Sequence, residues 1–384
     1  MNNATHLCLV SAQATPNLTP ALNPATKPER VILLTSPDME RRADWLDGVL
    51  RTRGICVERW TIGDAWDVER IQFRVLELLE RETEAVPGKT IALNATGGTK
   101  PMSIAAYEAF RAYDLPIFYV HPEHDRLIWL HPNGRQALDL VNRLHLKHFL
   151  LAHGARIEGI ERSGIPPRLS ALTQWLVRRV HTFGTSLATL NYLAMKAENG
   201  LVSPEMDSRA LGNQRLQALI DRFADSGLFE VRGRRLYFPD EAARFYVNGG
   251  WLEEHVYDIL RGLRKELPQI QDLARSVDIA RETQRGDAVP NEIDVACLAE
   301  NRLYLIECKT RTWSDGGSSG PGANALYRLD TLGDLLGGLQ ARAMLVSYRQ
   351  LPPGVQRRAA DLGVRVCTGA RLPELGADLR AWLR

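Results

Sequence analysis

Two apolar runs near the C-terminal end of the chain, Asn291-Glu292-Ile293-Asp294-Val295-Ala296-Cys297-Leu298 and Leu303-Tyr304-Leu305-Ile306-Glu307-Cys308-Lys309, restrict the fold more than any other feature. Both are rich in β-branched and apolar residues. Ala299-Glu300-Asn301-Arg302 between them supplies a turn, so the stretch predicts a β-hairpin with Glu300 and Asn301 at its tip. Counting from that tip pairs Leu298 with Leu303, Ala296 with Leu305 and Asp294 with Glu307. Opposed residues share a face with Cβ atoms about 4.5–5.5 Å apart, and Lys309, two residues on, joins the same face. The other face carries Ile293, Val295, Cys297, Tyr304, Ile306 and Cys308. A hairpin apolar on both sides belongs in a sheet covered on both sides. Two opposed carboxylates there repel, and a hard divalent cation, Mn²⁺ or Mg²⁺, would remove the conflict. A lysine beside such a site orients or deprotonates a water and stabilises charge developing on a phosphate. The plainer alternative is a cross-strand salt-bridge patch with Glu292 opposite Lys309; the apolar surroundings of the acids argue against it.

The flanking segments fit the first reading. Gly249-Gly250-Trp251-Leu252-Glu253-Glu254-His255-Val256-Tyr257-Asp258-Ile259-Leu260 predicts a helix whose stripe is Leu252, Val256, Ile259 and Leu263. Glu253 flanks that stripe and Glu254 lies nearly opposite it, so Glu253 is the preferred helix-borne carboxylate and Glu254 its substitute. After Lys309 come Thr310-Arg311-Thr312-Trp313, a Gly/Ser-rich loop (residues 314–322), a leucine-spaced helix from about Asn324 to Leu336 and a strand, Ala343–Ser347. Asp294 followed by Glu307-Cys308-Lys309, with this order of helix, strand, strand, helix and strand, resembles the PD-(D/E)XK nuclease superfamily. The resemblance implies that Asp294, Glu307 and Glu253 hold the metal and that Lys309 completes the catalytic set. Arg311 and Trp313 beside the hairpin are candidates to clamp or stack on nucleic acid.

Residues 5–120 alternate short apolar strands (His6–Val10, Arg30–Thr35, Cys56–Thr61, Thr90–Asn94, Pro116–Val120) with helical stretches around Met39–Arg53, Asp67–Glu84 and Thr99–Tyr113. That alternation predicts a Rossmann-like parallel sheet, in which ligands sit beyond the carboxyl ends of the strands. Three turn segments fall there: Ser11–Asn17 (with Gln13, Thr15 and Pro16), Thr35-Ser36-Pro37-Asp38, and Asn94-Ala95-Thr96-Gly97-Gly98-Thr99-Lys100. The last leaves a buried-type strand, turns on two glycines and opens a helix whose free N–H groups suit a phosphate. Lys100 and the Thr96 and Thr99 hydroxyls extend that offer; an ordinary tight turn capped by Thr99 is the alternative. Neither GxGxxG nor GxxxxGK[ST] is present. On a sheet of this order, Asn94–Lys100 and Ser11–Asn17 resemble the CARF domain, the sensor of cyclic oligoadenylates in CRISPR-associated effectors.

Between the two regions, His145–Pro167 reads as a connector. Helices follow at Leu169–Thr182, Leu187–Glu198 and Asn213–Ser226, and then a hairpin, Gly227–Phe238, turns at Arg232-Gly233-Arg234 like the wing of a winged helix. The expected organisation is a CARF sensor at residues 1–145, a connector and winged-helix-like region at 146–248 and a nuclease domain at 249–384. The chain as a whole resembles CARF–nuclease effectors of type III CRISPR antiviral defence activated by cyclic tetraadenylate. That resemblance implies a homodimer with one composite ligand pocket on its two-fold axis and a DNA or RNA substrate. Two rival readings are a nucleotide-responsive transcriptional regulator with a silent nuclease fold, and a sensor that degrades its own ligand near Lys100.

Composition narrows the remainder. A formal charge of +2 gives no global basic field, so nucleic acid must be met by local patches. Five scattered cysteines without CxxC spacing fit a reducing cytoplasm and no disulfide framework. No apolar run is long enough to span a bilayer, and the first residues lack the features of a signal peptide. The histidines form no HExxH or other ligand spacing.

Overall fold

The computed structural model describes residues 5–85, 90–121, 124–141, 144–283, 286–310, 313 and 321–384. Its first sheet grows from β1 (Thr5–Leu9), β2 (Arg30–Thr35), β3 (Cys56–Thr61), β4 (Ile91–Asn94) and β5 (Ile117–His121), all parallel, in the order β3-β2-β1-β4-β5. Antiparallel β6 (Arg126–His131) and β7 (Leu138–Asp139) extend the β5 edge. Helices α1 (Thr15–Leu22) and α2 (Glu40–Thr52) cover one face; α3 (Val68–Ala85) and α4 (Lys100–Ala112) cover the other, packing on Leu7, Leu9, Ile32, Leu34 and Leu93. The strands and the last three helices fall where apolar periodicity places them. Helix α1 does not: its two prolines mask it in the sequence. Pro16 stands in the first turn, where a missing N–H costs nothing, and Pro20 inside is tolerated in so short a helix.

The expected connector carries structure of its own. It forms α5 (Leu146–Ala152) and β8 (Ala155–Glu161), and β8 is the edge strand of the second sheet. A helical region follows: α6 (Pro167–Arg178), α7 (Val180–Lys196), α8 (Ser208–Leu211), α9 (Gln214–Asp225), the small hairpin β9 (Glu230–Arg232) and β10 (Arg235–Tyr237), then α10 (Glu241–Phe245). The chain continues through α11 (Trp251–Leu263), β11 (Ile270–Glu282), β12 (Ala288–Ala299), β13 (Arg302–Lys309), α12 (Pro321–Gly337), β14 (Arg342–Ser347), α13 (Pro353–Asp361), β15 (Arg365–Thr368) and α14 (Leu375–Trp382). The second sheet runs β15-β14-β13-β12-β11-β8, antiparallel from β8 to β13 and parallel from β13 to β15. Strand β11 is not legible in the sequence, because Asp272, Arg275 and Asp278 interrupt its apolar pattern; pairing with both β8 and β12 holds it in place.

The hairpin register agrees with the count from the turn: Leu298 faces Leu303 and Ala296 faces Leu305. Glu300 and Asn301 both take positive φ, 48° and 54°, as a two-residue turn of this hand requires. Val295, Cys297, Tyr304, Ile306 and Cys308 pack with α11, α14 and the helical region, whereas Leu298, Leu303 and Leu305 pack under α12. Ile293 departs from expectation. It lies with Val277 in the cluster under α12, next to a distortion of β11 at Ser276, whose φ is +44°.

One apolar cluster ties the two sheets together, running from Leu46, Val49 and Leu50 of α2 through Leu146, Phe149 and Leu150 of α5 to Leu305 and Leu329. Polar anchors reinforce it. Buried Asp272 accepts hydrogen bonds from the Leu146 N–H (3.0 Å) and from Arg162 (2.5 and 3.2 Å). Burial alone would raise its pKa, but these partners outweigh burial and hold it below the ordinary value. At the hairpin tip, fully buried Asn301 donates from its side-chain amide to Asp125 in the β5–β6 turn, at 2.8 Å.

Candidate active site

Asp294 in the middle of β12, Glu307 near the end of β13 and Glu253 in the first turn of α11 come together. Asp294 Oδ2 accepts the Cys308 backbone N–H at 2.6 Å, which fixes its position beside β13. Glu307 is 4% exposed, and its Oε1 lies 2.5 Å from Lys309 Nζ. Both residues are on one strand and one face, as the two-residue spacing requires. Asp294, Glu253, Glu292, Cys308, Lys309, Thr310, Trp313 and Arg328 line one cavity of about 700 Å³. Arg328 on α12 was not anticipated; it also donates to the Glu292 carbonyl at 2.7 Å, and its place on the polar side of a leucine-spaced helix was the only available signal.

The two helix-borne glutamates separate. Glu253 faces the cavity and accepts a long hydrogen bond from Ser276 Oγ (3.4 Å). Glu254 is buried against Arg275, 3.6 Å away, and is absent from the cavity lining. Its expected position opposite the stripe does not leave it on the surface, because α6 and the helical region cover α11 on that side too. Helix α11 is aimed by the turn before it. Gly249 has φ +114°, and a Cβ there would stand 2.2 Å from Thr310 Oγ1. Only a glycine lets the helix start so close to the end of β13.

Buried acids crowd the cavity. Burial, then repulsion by Asp294 and Glu292, pushes the Glu253 carboxyl up to about 9. Burial, then Glu307, pushes Asp294 up to about 7. For Lys309, burial works against the charge, but Asp294 and Glu307 outweigh it and hold the ammonium above its usual pKa. One ammonium does not offset this cluster of acids. As they stand, no three acidic, His or Cys side chains among the described residues are grouped as a metal site; Asp294 is engaged by the Cys308 N–H and Glu307 by Lys309. An all-oxygen donor set with excess buried negative charge nevertheless fits a hard divalent cation.

Trp313 lines the same cavity, with its indole N–H donating to Ser347 Oγ at 2.9 Å. That leaves the ring, not the N–H, to meet any substrate. Arg311 lies outside the described residues. The arginines of the wing-like hairpin are largely neutralised: Arg232 pairs with Glu230 at 2.6 Å and Arg235 with Glu205 at 3.3 Å.

At the first sheet, the three expected segments lie together beyond the carboxyl ends of β2, β1 and β4, and the strand order reverses between β1 and β4. Several of the residues named there serve the framework. Asn94 is fully buried and donates to the Pro16 carbonyl (2.9 Å) and Asn17 Oδ1 (3.0 Å), while its own Oδ1 accepts from Thr96 Oγ1 (2.7 Å). Asn17 Nδ2 donates to the Leu9 carbonyl, and Thr96 Oγ1 also accepts the Val120 N–H. Thr15, Thr35 and Ser36 are buried too, with the Ser36 hydroxyl donating to Asp38. Thr99 caps α4 through Met102 N–H and donates to the Ala65 carbonyl. Gly97 is buried so close to β1 that a Cβ would lie 2.1 Å from the Leu9 carbonyl oxygen. The residues with surface left for a ligand are Gln13, Pro16, Gly98 (φ +72°), exposed Lys100 and Ser11, whose hydroxyl also turns onto the Gln13 backbone at 3.3 Å. Gln13 reaches further: its side-chain amide rests against Gly338, just beyond the C-terminal end of α12.

Residues 5–149 match the family model described as the Card1 CARF domain, and residues 240–384 match that of the Card1-like endonuclease domain. The solved structure of protein VC1899 from Vibrio cholerae is 31% identical, with a TM-score of 0.87 over 99% of this chain and 97% of that one. This chain belongs to the Card1-like CARF–endonuclease family. Can2 from Sulfobacillus thermosulfidooxidans, solved in complex with cyclic tetra-adenylate, is 26% identical with a TM-score of 0.82 over 99% of both chains. A type III CRISPR defence DNA nuclease activated by cyclic oligoadenylate shares the fold at 21% identity and a TM-score of 0.54; the match covers 92% of this chain and 48% of that one. No curated protein matches. Like its relatives' folds, this one joins an N-terminal CARF domain to a C-terminal endonuclease domain, and none of its described helices is long and apolar enough to cross a membrane.

Proposed function

We propose that the chain is a cyclic-tetraadenylate-activated, metal-dependent nuclease that hydrolyses phosphodiester bonds of DNA or single-stranded RNA in antiviral defence, working as a homodimer in the cytoplasm. The observation that carries the reading is the gathering of Asp294, Glu253 and Lys309, with Glu307 held on Lys309, around one cavity in a chain similar over its full length to a cyclic-tetra-adenylate-bound protein. The order α11, β11, β12, β13, α12, β14 around that cavity supports a PD-(D/E)XK reading.

In this reading Asp294, Glu307 and Glu253 hold Mn²⁺ or Mg²⁺, which when bound polarises the scissile phosphate and a water. Lys309, kept protonated by the flanking acids, orients that water and stabilises the negative charge that develops on phosphate oxygens. Arg328 at the mouth of the cavity steers the backbone in, and the Trp313 ring supplies an apolar wall against which a base stacks. Glu254 is a positioning residue: with Arg275 it holds the buried side of α11 so that Glu253 stays turned to the cavity.

Activation follows from the far end of the chain. Cyclic tetraadenylate, itself two-fold symmetric, suits a pocket formed by the open groups Ser11, Gln13, Gly98 and Lys100 of two protomers. Gln13 lies at once on that loop and on Gly338, so a shift of the loop on ligand binding is passed to α12, which carries Arg328. For this to activate, the ligand must bind the substrate-admitting arrangement more tightly than the other. The regulator reading is weaker, because Arg232 and Arg235 of the wing are paired with glutamates and the four catalytic candidates are all present. Ligand-dependent cleavage of supercoiled plasmid and single-stranded RNA by wild type, set against Glu307→Ala, tests the proposal. Equal products from the two proteins would overturn it.

A further inference from the structure

A second polar cleft lies beside the catalytic cavity. It has a volume of about 290 Å³ and is lined by the first turns of α7, by Arg215 of α9, by Arg349 and Gln350 after β14, and by Gly369 after β15. None of its lining residues is acidic, whereas His181, Arg215 and Arg349 are basic. Among the described residues neither arginine is paired with a carboxylate; the one side-chain hydrogen bond of Arg349 goes to Thr185 Oγ1, at 3.4 Å. The cleft is shaped for these side chains. A Cβ on Gly184 would stand 2.4 Å from Arg349 Nη1, so the guanidinium lies across a position where any other residue would displace it.

The cleft's place in the fold gives it a purpose. Lys309 pairs with Ser347 in the parallel ladder, and Ser347 pairs with Thr368, so Arg349 and Gly369 leave the sheet at the same end as the catalytic lysine. Ser347 Oγ receives the Trp313 indole N–H and donates to the Arg349 carbonyl, placing the two cavities on either side of one side chain. Helix α7 spans the gap: Thr185 lines the cleft, and Asn191, six residues on, touches Thr310 of the catalytic cavity. At 1.5 Å per residue the rise from Thr185 to Asn191 is about 9 Å, a span of a few nucleotides of a stacked strand.

We propose that this cleft is a backbone-phosphate subsite for the nucleic-acid substrate, with Arg215 and Arg349 gripping a phosphodiester a few nucleotides from the scissile bond. The proposal rests on the nuclease reading for its purpose but is tested by binding alone. A 5′-labelled single-stranded oligonucleotide is titrated by fluorescence anisotropy against wild type, Arg349→Ala and Arg215→Glu, in EDTA with cyclic tetraadenylate, across a series of salt concentrations. Arg215 is exposed, so its variant tests the idea even if Arg349→Ala folds poorly. Each variant is expected to bind about tenfold more weakly, with the slope of log affinity against log salt reduced by about one. In cleavage assays the loss is expected in KM. Unchanged affinity and salt slope in Arg215→Glu would overturn the subsite even if the enzyme cleaves normally. Weakened binding by the variants, together with a wild type that never cleaves, would leave the subsite standing and sink the nuclease reading instead. A cleft that takes up inorganic phosphate with no competing loss of oligonucleotide binding also refutes it.

Discussion

Glu253→Gln offers a test of the carboxylate cluster that does not depend on catalysis. With its carboxyl pushed up to about 9 in the fold from an ordinary 4.5, Glu253 binds its proton more tightly folded than unfolded. Its contribution to stability is therefore fully present below about 4.5 and is lost as pH rises through about 9. At pH 8 the ceiling on that loss is about 5 kcal/mol, from 1.36 kcal/mol per pH unit; water entry and relaxation reduce it to roughly 2 kcal/mol. Glutamine keeps the shape without the charge. In EDTA, Glu253→Gln is thus expected to melt about 2–4 °C higher than wild type at pH 8, with the gap closing towards pH 5. Adding Mn²⁺ should invert the order. A cation at a hundred times its dissociation constant stabilises wild type by about 2.7 kcal/mol, and the variant, short of one ligand, gains less. Differential scanning fluorimetry across pH 5–9, with and without metal, reads both effects. A variant that melts below wild type in EDTA at every pH, or that responds to Mn²⁺ as strongly as wild type, would refute the reasoning.

Three further outcomes follow from the fold. Arg162→Ala strands the buried Asp272 carboxylate that also caps the Leu146 N–H, and should cost about 2–3 kcal/mol in chemical denaturation. His153 is 5% exposed and pushed down to about 4 by burial, so it stays neutral in the fold while the unfolded chain takes up a proton. Stability is then lost as pH falls from about 6.5 towards 4, by roughly 2 kcal/mol at pH 5, and His153→Gln should flatten that part of the pH–stability curve. Gln13→Ala removes the amide that rests on Gly338; it should raise the cyclic tetraadenylate concentration needed for half-maximal cleavage by several-fold, and an unchanged activation curve would rule out this contact as the link.

The sequence disclosed what depends on local pattern. Apolar alternation located β1 to β5, and the Glu300-Asn301 turn set the β12–β13 register to the residue, Leu298 facing Leu303 and Ala296 facing Leu305. Features decided by tertiary partners were hidden. Nothing local distinguishes β11 from a charged loop until β8 and β12 pair with it, and β8 itself lay in what read as a connector. The burial of Glu254 comes from packing on both sides of α11, which a single helical stripe does not reveal. In the first sheet, Asn94, Thr96 and Asn17 have the chemistry of ligand contacts, yet their groups are spent on one another and on nearby backbone. Composition and spacing report which groups a chain owns; only the fold reports which of them are already taken.

The central claim is that a lysine and three acids gathered by β12, β13 and α11 make a nuclease answerable to a small cyclic nucleotide. The most direct measurement is the rate of nicking of supercoiled plasmid by wild type and Lys309→Met with Mn²⁺, in the presence and absence of cyclic tetraadenylate. Nicking by wild type is expected to rise at least tenfold with the ligand, and nicking by the variant to be at least a hundredfold slower, consistent with removing one electrostatic group from a hydrolytic site. A variant that nicks as fast as wild type under the same conditions would contradict the claim.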